Sequence, residues 1–94
     1  MKRIGDLKVE NFEGLEGEMF SLGHFRVELL QVHRGPETPS RFRQQFSLIF
    51  NCPDEFESSH ADLELSHEKV GSHRLFVSKV LGYEEPMNLE IVFN

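Results

Sequence analysis

Three stretches of the chain alternate apolar with polar residues, and this alternation constrains the fold more than any other feature. They cover 25–29, 42–50 and 87–93, and each begins or ends with phenylalanine. A two-residue period puts every second side chain on one face, as in a half-buried β-strand, whereas a helix repeats every ~3.6 residues. The sequence therefore predicts an all-β domain.

Turn residues divide the chain into six strands and one short helical turn. A chain of 94 residues supports a single hydrophobic core, so we expect one domain over 1–94. Short, evenly spaced strands predict a small antiparallel barrel or sandwich in meander-like order, with a helical turn within 7–12 before the first strand. The predicted strands are 19–22, 25–33, 42–51, 61–67, 73–81 and 87–93.

Two local irregularities are predicted within these strands. Leu29 and Leu30 are consecutive apolar residues, so the alternation changes phase there and a β-bulge is expected. The segment 69–71 predicts a three-residue hairpin loop, because Gly71 can take the left-handed conformation that such loops require. In that register His67 faces His73, Leu65 faces Leu75 and Leu63 faces Val77.

Composition narrows the partners and the cellular setting. The formal net charge of −6 disfavours binding to nucleic acid or to an anionic membrane. The N-terminus lacks the apolar run of a secretory signal, and no segment has the roughly 20 apolar residues of a spanning helix. Cys52 is the single cysteine, so no internal disulfide forms and folding needs no oxidising compartment. We expect a cytoplasmic protein.

Five histidines raise the question of a metal site. His67 and His73 come close across the predicted hairpin, but zinc sites usually use three or four convergent ligands. Histidines at strand ends are more simply read as exposed side chains, so no metal or other cofactor is predicted. The alternative hypothesis is a small-molecule-binding or metal-binding barrel that uses His67 and His73.

No set of residues specifies a reaction. Cys52 has no neighbouring base in the sequence that would activate it as a nucleophile. The carboxylate pairs at 54–55 and 84–85 are adjacent in loops, where such side chains usually diverge into solvent. We predict that the protein is not an enzyme.

Opposite charges segregate along the chain. Arg34, Arg41 and Arg43 form a basic group, whereas the region 54–68 is rich in Asp and Glu. Clustered charge of one sign attracts a partner surface of the opposite sign. These three arginines are the predicted partner-binding residues.

The core and turn positions resemble those of a family of short bacterial proteins that form an uncharacterised domain, and the resemblance covers nearly the whole chain. Members of that family are often encoded beside phage-tail-like or tail-collar proteins. The resemblance implies a small β-barrel with an accessory or structural role, and it supplies no catalytic residue. It rests on Phe12-x-x-Leu15-x-Gly17-x-x-Phe20-x-Leu22, a strand ending near Val32, Phe46-Ser47-Leu48-Ile49-Phe50, Leu75-Phe76-Val77 and Ile91-Val92-Phe93-Asn94.

Together these observations predict a non-enzymatic barrel that binds another protein, with a tail-like or collar-like protein as the expected partner. One candidate surface is the arginine group, where binding would weaken as salt rises. The other is an exposed sheet edge that accepts a strand from a partner. The terminal strand 87–93 could leave such an edge, which would also permit a homodimer.

Overall fold

A computed structural model describes residues 7–35, 45–82 and 86–93 of the chain. The N-terminal segment contains one 3-10 turn, Val9–Asn11. Six strands follow, and every strand pair is antiparallel. Their bounds are β1 Met19–Leu22, β2 Phe25–Arg34, β3 Phe46–Asn51, β4 His60–His67, β5 Gly71–Leu81 and β6 Met87–Phe93. The predicted all-β fold and the N-terminal helical turn are confirmed.

The sheet closes into a barrel in the order β1-β2-β3-β6-β5-β4, with β4 pairing back to β1. The predicted meander-like order is wrong, because β3 pairs with β6 rather than with β4. The connection between β3 and β4 crosses one end of the barrel, where Phe56 is buried. The terminal strand β6 pairs with β3 along 88–93 and with β5 along 87–90, so it is not an edge strand of the sheet.

A bulge in β2 changes which residues face the core. Leu29 pairs with Phe50 and Gln31 pairs with Ile49, so Leu30 is the additional residue. The predicted bulge is therefore confirmed. Asn51 supports it, because its Oδ1 accepts a hydrogen bond of 2.6 Å from the backbone N–H of Glu28. A bulge bends its strand and increases the twist, which helps a small sheet to close.

The N-terminal segment plugs one end of the barrel. Phe12 is fully buried, with its ring centroid 5.8 Å from that of Phe46 and 5.7 Å from that of Phe93. The rings of Phe46 and Phe93 stack on each other at 4.4 Å. Leu7 and Val9 are also buried in the same core. We call residues 7–15 the end cap.

The opposite end of the barrel is closed by the loop between β3 and β4. Phe56 is buried there, and its ring centroid lies 5.6 Å from that of Phe25. The ammonium group of Lys79 lies 5.7 Å from the centre of the Phe56 ring, a cation–π distance. Phe56 therefore pins this loop to the core.

The hairpin between β4 and β5 has a different register from the predicted one. His67 pairs with Gly71, Leu65 with His73 and Leu63 with Leu75. The loop consists of 68–70 rather than 69–71, and Gly71 is the first residue of β5 with φ of 81°. A type I turn followed by a left-handed glycine uses that glycine in the first strand pair, which explains the shift. Because β5 shifts by two residues relative to β4, the inward and outward faces are unchanged.

The other predicted boundaries agree with the structure to within two residues, apart from the third strand. Its predicted start at Phe42 lies outside the described residues, and β3 begins at Phe46.

The end cap should contribute strongly to stability. Phe12→Ala is expected to lower the free energy of unfolding by about 3–5 kcal/mol, because it leaves a cavity beside the stacked rings of Phe46 and Phe93. Urea unfolding followed by circular dichroism measures the change. Phe76→Ala is the matched control, since Phe76 is 56% exposed and its loss should cost less than about 1 kcal/mol. Equal losses for the two variants would contradict the role of the end cap.

Candidate functional site

The outer surface carries two exposed apolar side chains on neighbouring strands. Phe76 of β5 is 56% exposed and Val92 of β6 is 55% exposed. The β5–β6 ladder ends at the pair of Ser78 and Glu90, and Phe76 and Val92 each lie two residues beyond that end. Both residues point outward, because their neighbours Val77 and Ile91 are buried in the core. Exposed apolar side chains grouped at one end of a ladder mark a candidate protein contact site.

Neighbouring side chains hold part of this surface in place. The imidazole of His60 stacks near the ring of Phe76, with 5.4 Å between the ring centroids and 30° between the planes. Arg74 lies two residues before Phe76 on the same face, and its Nη1 donates a hydrogen bond of 3.2 Å to the carbonyl oxygen of Asp62. We call His60, Phe76 and Val92 the β5–β6 patch.

A shallow pocket of about 220 Å³ borders the patch at Val92. Its wall includes His33 and Ser47, which are half-buried, together with Glu90. The patch therefore combines a projecting aromatic ring with a concave margin. A partner can therefore insert a side chain into the pocket and pack another against the exposed ring.

Arg34, one of the three predicted partner-binding arginines, is held by the end cap. Its Nε and Nη2 donate hydrogen bonds of 2.9 Å to the two carboxylate oxygens of Glu13, and Nη2 lies 3.4 Å from Glu10. The hydrogen bond from Arg34 lowers the pKa of Glu13, and the same bond raises the pKa of Arg34. Arg41 and Arg43 lie outside the described residues, so partner binding by the three arginines stays a prediction.

His67 is built into the barrel rather than exposed as predicted. Its side chain is 6% accessible, and its ring centroid lies 4.4 Å from that of Phe20. The backbone N–H of Lys69 donates a hydrogen bond of 3.0 Å to Nδ1, so the lone pair of Nδ1 is the acceptor and Nδ1 carries no proton. The proton is on Nε2, which donates to a carboxylate oxygen of Glu18 at 2.8 Å. Both ring nitrogens are engaged in structural hydrogen bonds.

His73 is likewise buried, at 6% exposure, and the prediction of an exposed side chain was wrong for this residue also. Its Nε2 donates a hydrogen bond of 2.7 Å to the carbonyl oxygen of Val70 in the hairpin loop. His67 pairs with Gly71 and not with His73. Within 7–35, 45–82 and 86–93, no three His, Cys, Asp or Glu side chains converge as ligands for a metal ion.

The remaining candidates for chemistry are dispersed. Cys52 is half-buried, and its Sγ lies 3.6 Å from the carbonyl oxygen of Pro53. Asp54 and Glu55 are exposed, whereas the carboxylates at 84–85 lie outside the described residues. None of the helical segments in the described part of the chain has the length and apolar character needed to cross a membrane.

The described residues form a closed, six-stranded antiparallel barrel with an aromatic end cap, and the β5–β6 patch exposes apolar side chains on its outer surface. A family model, Domain of unknown function (DUF6916), matches residues 7–93, and the chain belongs to that family. Searches of curated proteins and of solved structures gave no match.

Sequence reasoning did not single out Phe76 and Val92, although the signal was present. Alternation within 73–81 and 87–93 places Val77, Ile91 and Phe93 on one face, which turns out to be the core, and Phe76 and Val92 on the other. An apolar residue at an outward position was the indication of a contact surface.

The Arg34–Glu13 pair predicts a measurable pH effect. Because Glu13 has a pKa below its ordinary value in the folded state, the pair's stabilisation is fully present above the unfolded pKa. That stabilisation is lost as the pH falls through the lowered folded pKa. Arg34→Gln should return the pKa of Glu13 towards its ordinary value, as measured by an NMR titration of its carboxyl carbon.

Arg26→Gln is the matched control, because Arg26 is an exposed arginine of the same strand and is not among the groups that shift Glu13. The Glu13 titration should be unchanged in this variant. An unchanged titration in Arg34→Gln as well would show that the two side chains are not paired in solution.

Proposed function

We propose that this protein is a non-enzymatic interaction module that binds a partner protein through the β5–β6 patch. The observation that carries the proposal is the outward placement of Phe76 and Val92 beyond the same end of the β5–β6 ladder, each more than half exposed. Phenylalanine rings fill the interior, since Phe12, Phe20 and Phe50 are fully buried. The interior is therefore filled, and the apolar side chains that another molecule can contact are those exposed on the outer surface.

The two apolar side chains of the patch contribute part of the free energy of binding a partner. Completing the burial of two half-exposed apolar side chains contributes on the order of 1 kcal/mol each. The His60 imidazole beside Phe76 adds a polar rim, and Glu90 beside Val92 adds a charge. An apolar centre with a polar rim is the arrangement found in protein contact sites.

The expected partner is a protein of a larger assembly. The chain resembles bacterial proteins that are often encoded beside phage-tail-like or tail-collar proteins, so a tail-like or collar-like protein is the proposed partner. A cytoplasmic location belongs to the same proposal. Cys52 fits a reducing compartment, because it is a single thiol and folding uses no disulfide.

Affinity capture from the native host tests the proposal. The tagged wild-type chain should retain a tail-like or collar-like protein in stoichiometric amount, identified by mass spectrometry. Phe76→Ser combined with Val92→Thr should reduce the retained amount by about tenfold, because a loss of about 1.4 kcal/mol corresponds to one order of magnitude in affinity.

Met19→Ser is the matched control, since Met19 is 45% exposed on β1, away from β5 and β6 in the barrel order. This variant should retain the partner as well as the wild type does. Equal retention by the patch variant and the control would remove the β5–β6 patch as the binding surface.

A further inference from the structure

The two sides of β5 are paired to different extents. On one side the ladder with β4 has eight pairs and extends from Ser78 to Gly71. On the other side the ladder with β6 has four pairs and ends at Ser78. Within the described part of the chain, the segment 71–77 is therefore paired on the β4 side only. A strand with one open side is a template for a further strand.

The direction of the backbone groups follows from one hydrogen bond. The N–H of Lys79 donates to the carbonyl oxygen of Ser59 at 2.8 Å, which continues the β4–β5 ladder. Hydrogen-bonding direction alternates along an antiparallel strand, so odd-numbered residues of β5 face β4. Arg74 and Phe76 therefore direct their N–H and C=O groups away from β4. Their side chains are exposed as well.

We infer that a second copy of this chain pairs with the open side of β5, so that two β5 strands run antiparallel about a twofold axis. The inference rests on the proposed function, because Phe76 belongs to the β5–β6 patch. Strand pairing uses the backbone edge of β5, so the outer face of the patch stays open to the proposed tail-like or collar-like partner. Arg74 of one copy then faces Phe76 of the other, with the axis at Leu75. Four backbone hydrogen bonds join the copies, because each Arg74 and each Phe76 donates one and accepts one.

Complementarity selects this register over its neighbours. With Arg74 opposite Phe76, each guanidinium lies beside an aromatic ring, a favourable cation–π arrangement that occurs twice by symmetry. Moving the axis to Arg74 places two arginines directly opposite each other, and like charges in that position are destabilising. Moving it to Phe76 requires Ser78, whose backbone is already paired with Glu90 of β6.

Site-directed crosslinking tests the register. In a Cys52→Ser background, Arg74→Cys and Phe76→Cys are made in separate chains and then mixed under oxidising conditions. A hydrogen-bonded antiparallel pair has its Cα atoms about 5.5 Å apart, within disulfide range. The two positions 74 lie about 8 Å apart across the axis, as do the two positions 76, which is beyond that range.

A disulfide-linked dimer is therefore expected in the mixture and in neither variant alone. Sedimentation velocity of the wild type should show a monomer–dimer equilibrium that shifts with concentration. Phe76→Ser should weaken the dimer, whereas Met19→Ser should leave it unchanged. Crosslinking of either variant alone to the same extent as the mixture would overturn the register.

A wild-type protein that stays monomeric at every concentration, with no crosslink in the mixture, would overturn the second copy as the partner. That result is distinguishable from failure of the proposed function. In the capture experiment a different partner would still be lost with the patch variant and retained with the Met19→Ser control. If the patch variant and the Met19→Ser control both retain the captured protein, the proposed function itself is contradicted.

Discussion

The packing of Phe12 against the stacked rings of Phe46 and Phe93 is the contact on which the rest of this structure depends. A barrel of six short strands has two open ends, and its core is dry only if both are covered. The end cap covers one of them with a side chain that contacts the beginning of β3 and the end of β6. This contact also brings Glu13, the next residue, to Arg34 at the end of β2. The Arg34–Glu13 ion pair therefore depends on the position of the end cap, and it links the end cap to β2 at the surface.

A core filled in this way leaves the outside of the barrel to carry function. His67 and His73 illustrate the point, because their polar atoms are used for hydrogen bonds that fix the hairpin loop and its contact with Glu18. Residues that look reactive in the sequence are structural here. Phe76 is the converse, an apolar residue that the core does not use. An incompletely buried apolar side chain can contact another molecule, whereas a buried polar side chain with all its hydrogen bonds made has a structural role.

The sequence predicts local features of this fold well and long-range ones poorly. Alternation predicts the strands and the bulge at Leu30, since both depend only on neighbouring residues. The predicted register of the β4–β5 hairpin was wrong because Gly71 belongs to the first strand pair and not to the loop. Alternation cannot detect this difference, since a two-residue shift of register leaves the same side chains facing the core. Strand order and the pairing of Arg34 with Glu13 depend on contacts between distant parts of the chain, which no periodicity encodes.

Barrel closure normally removes the edges that make β-sheets associate. Here the strand order closes, yet several strands are paired on one side only along part of their length in the described residues, and on β5 that segment is 71–77. Two independent features therefore coincide: an open backbone edge and an exposed phenylalanine. Either alone is unremarkable, since barrels tolerate short edges and surfaces tolerate single apolar residues. Their coincidence on one strand segment supplies both backbone hydrogen bonds and apolar contact to the same incoming strand, which is the combination that strand addition requires.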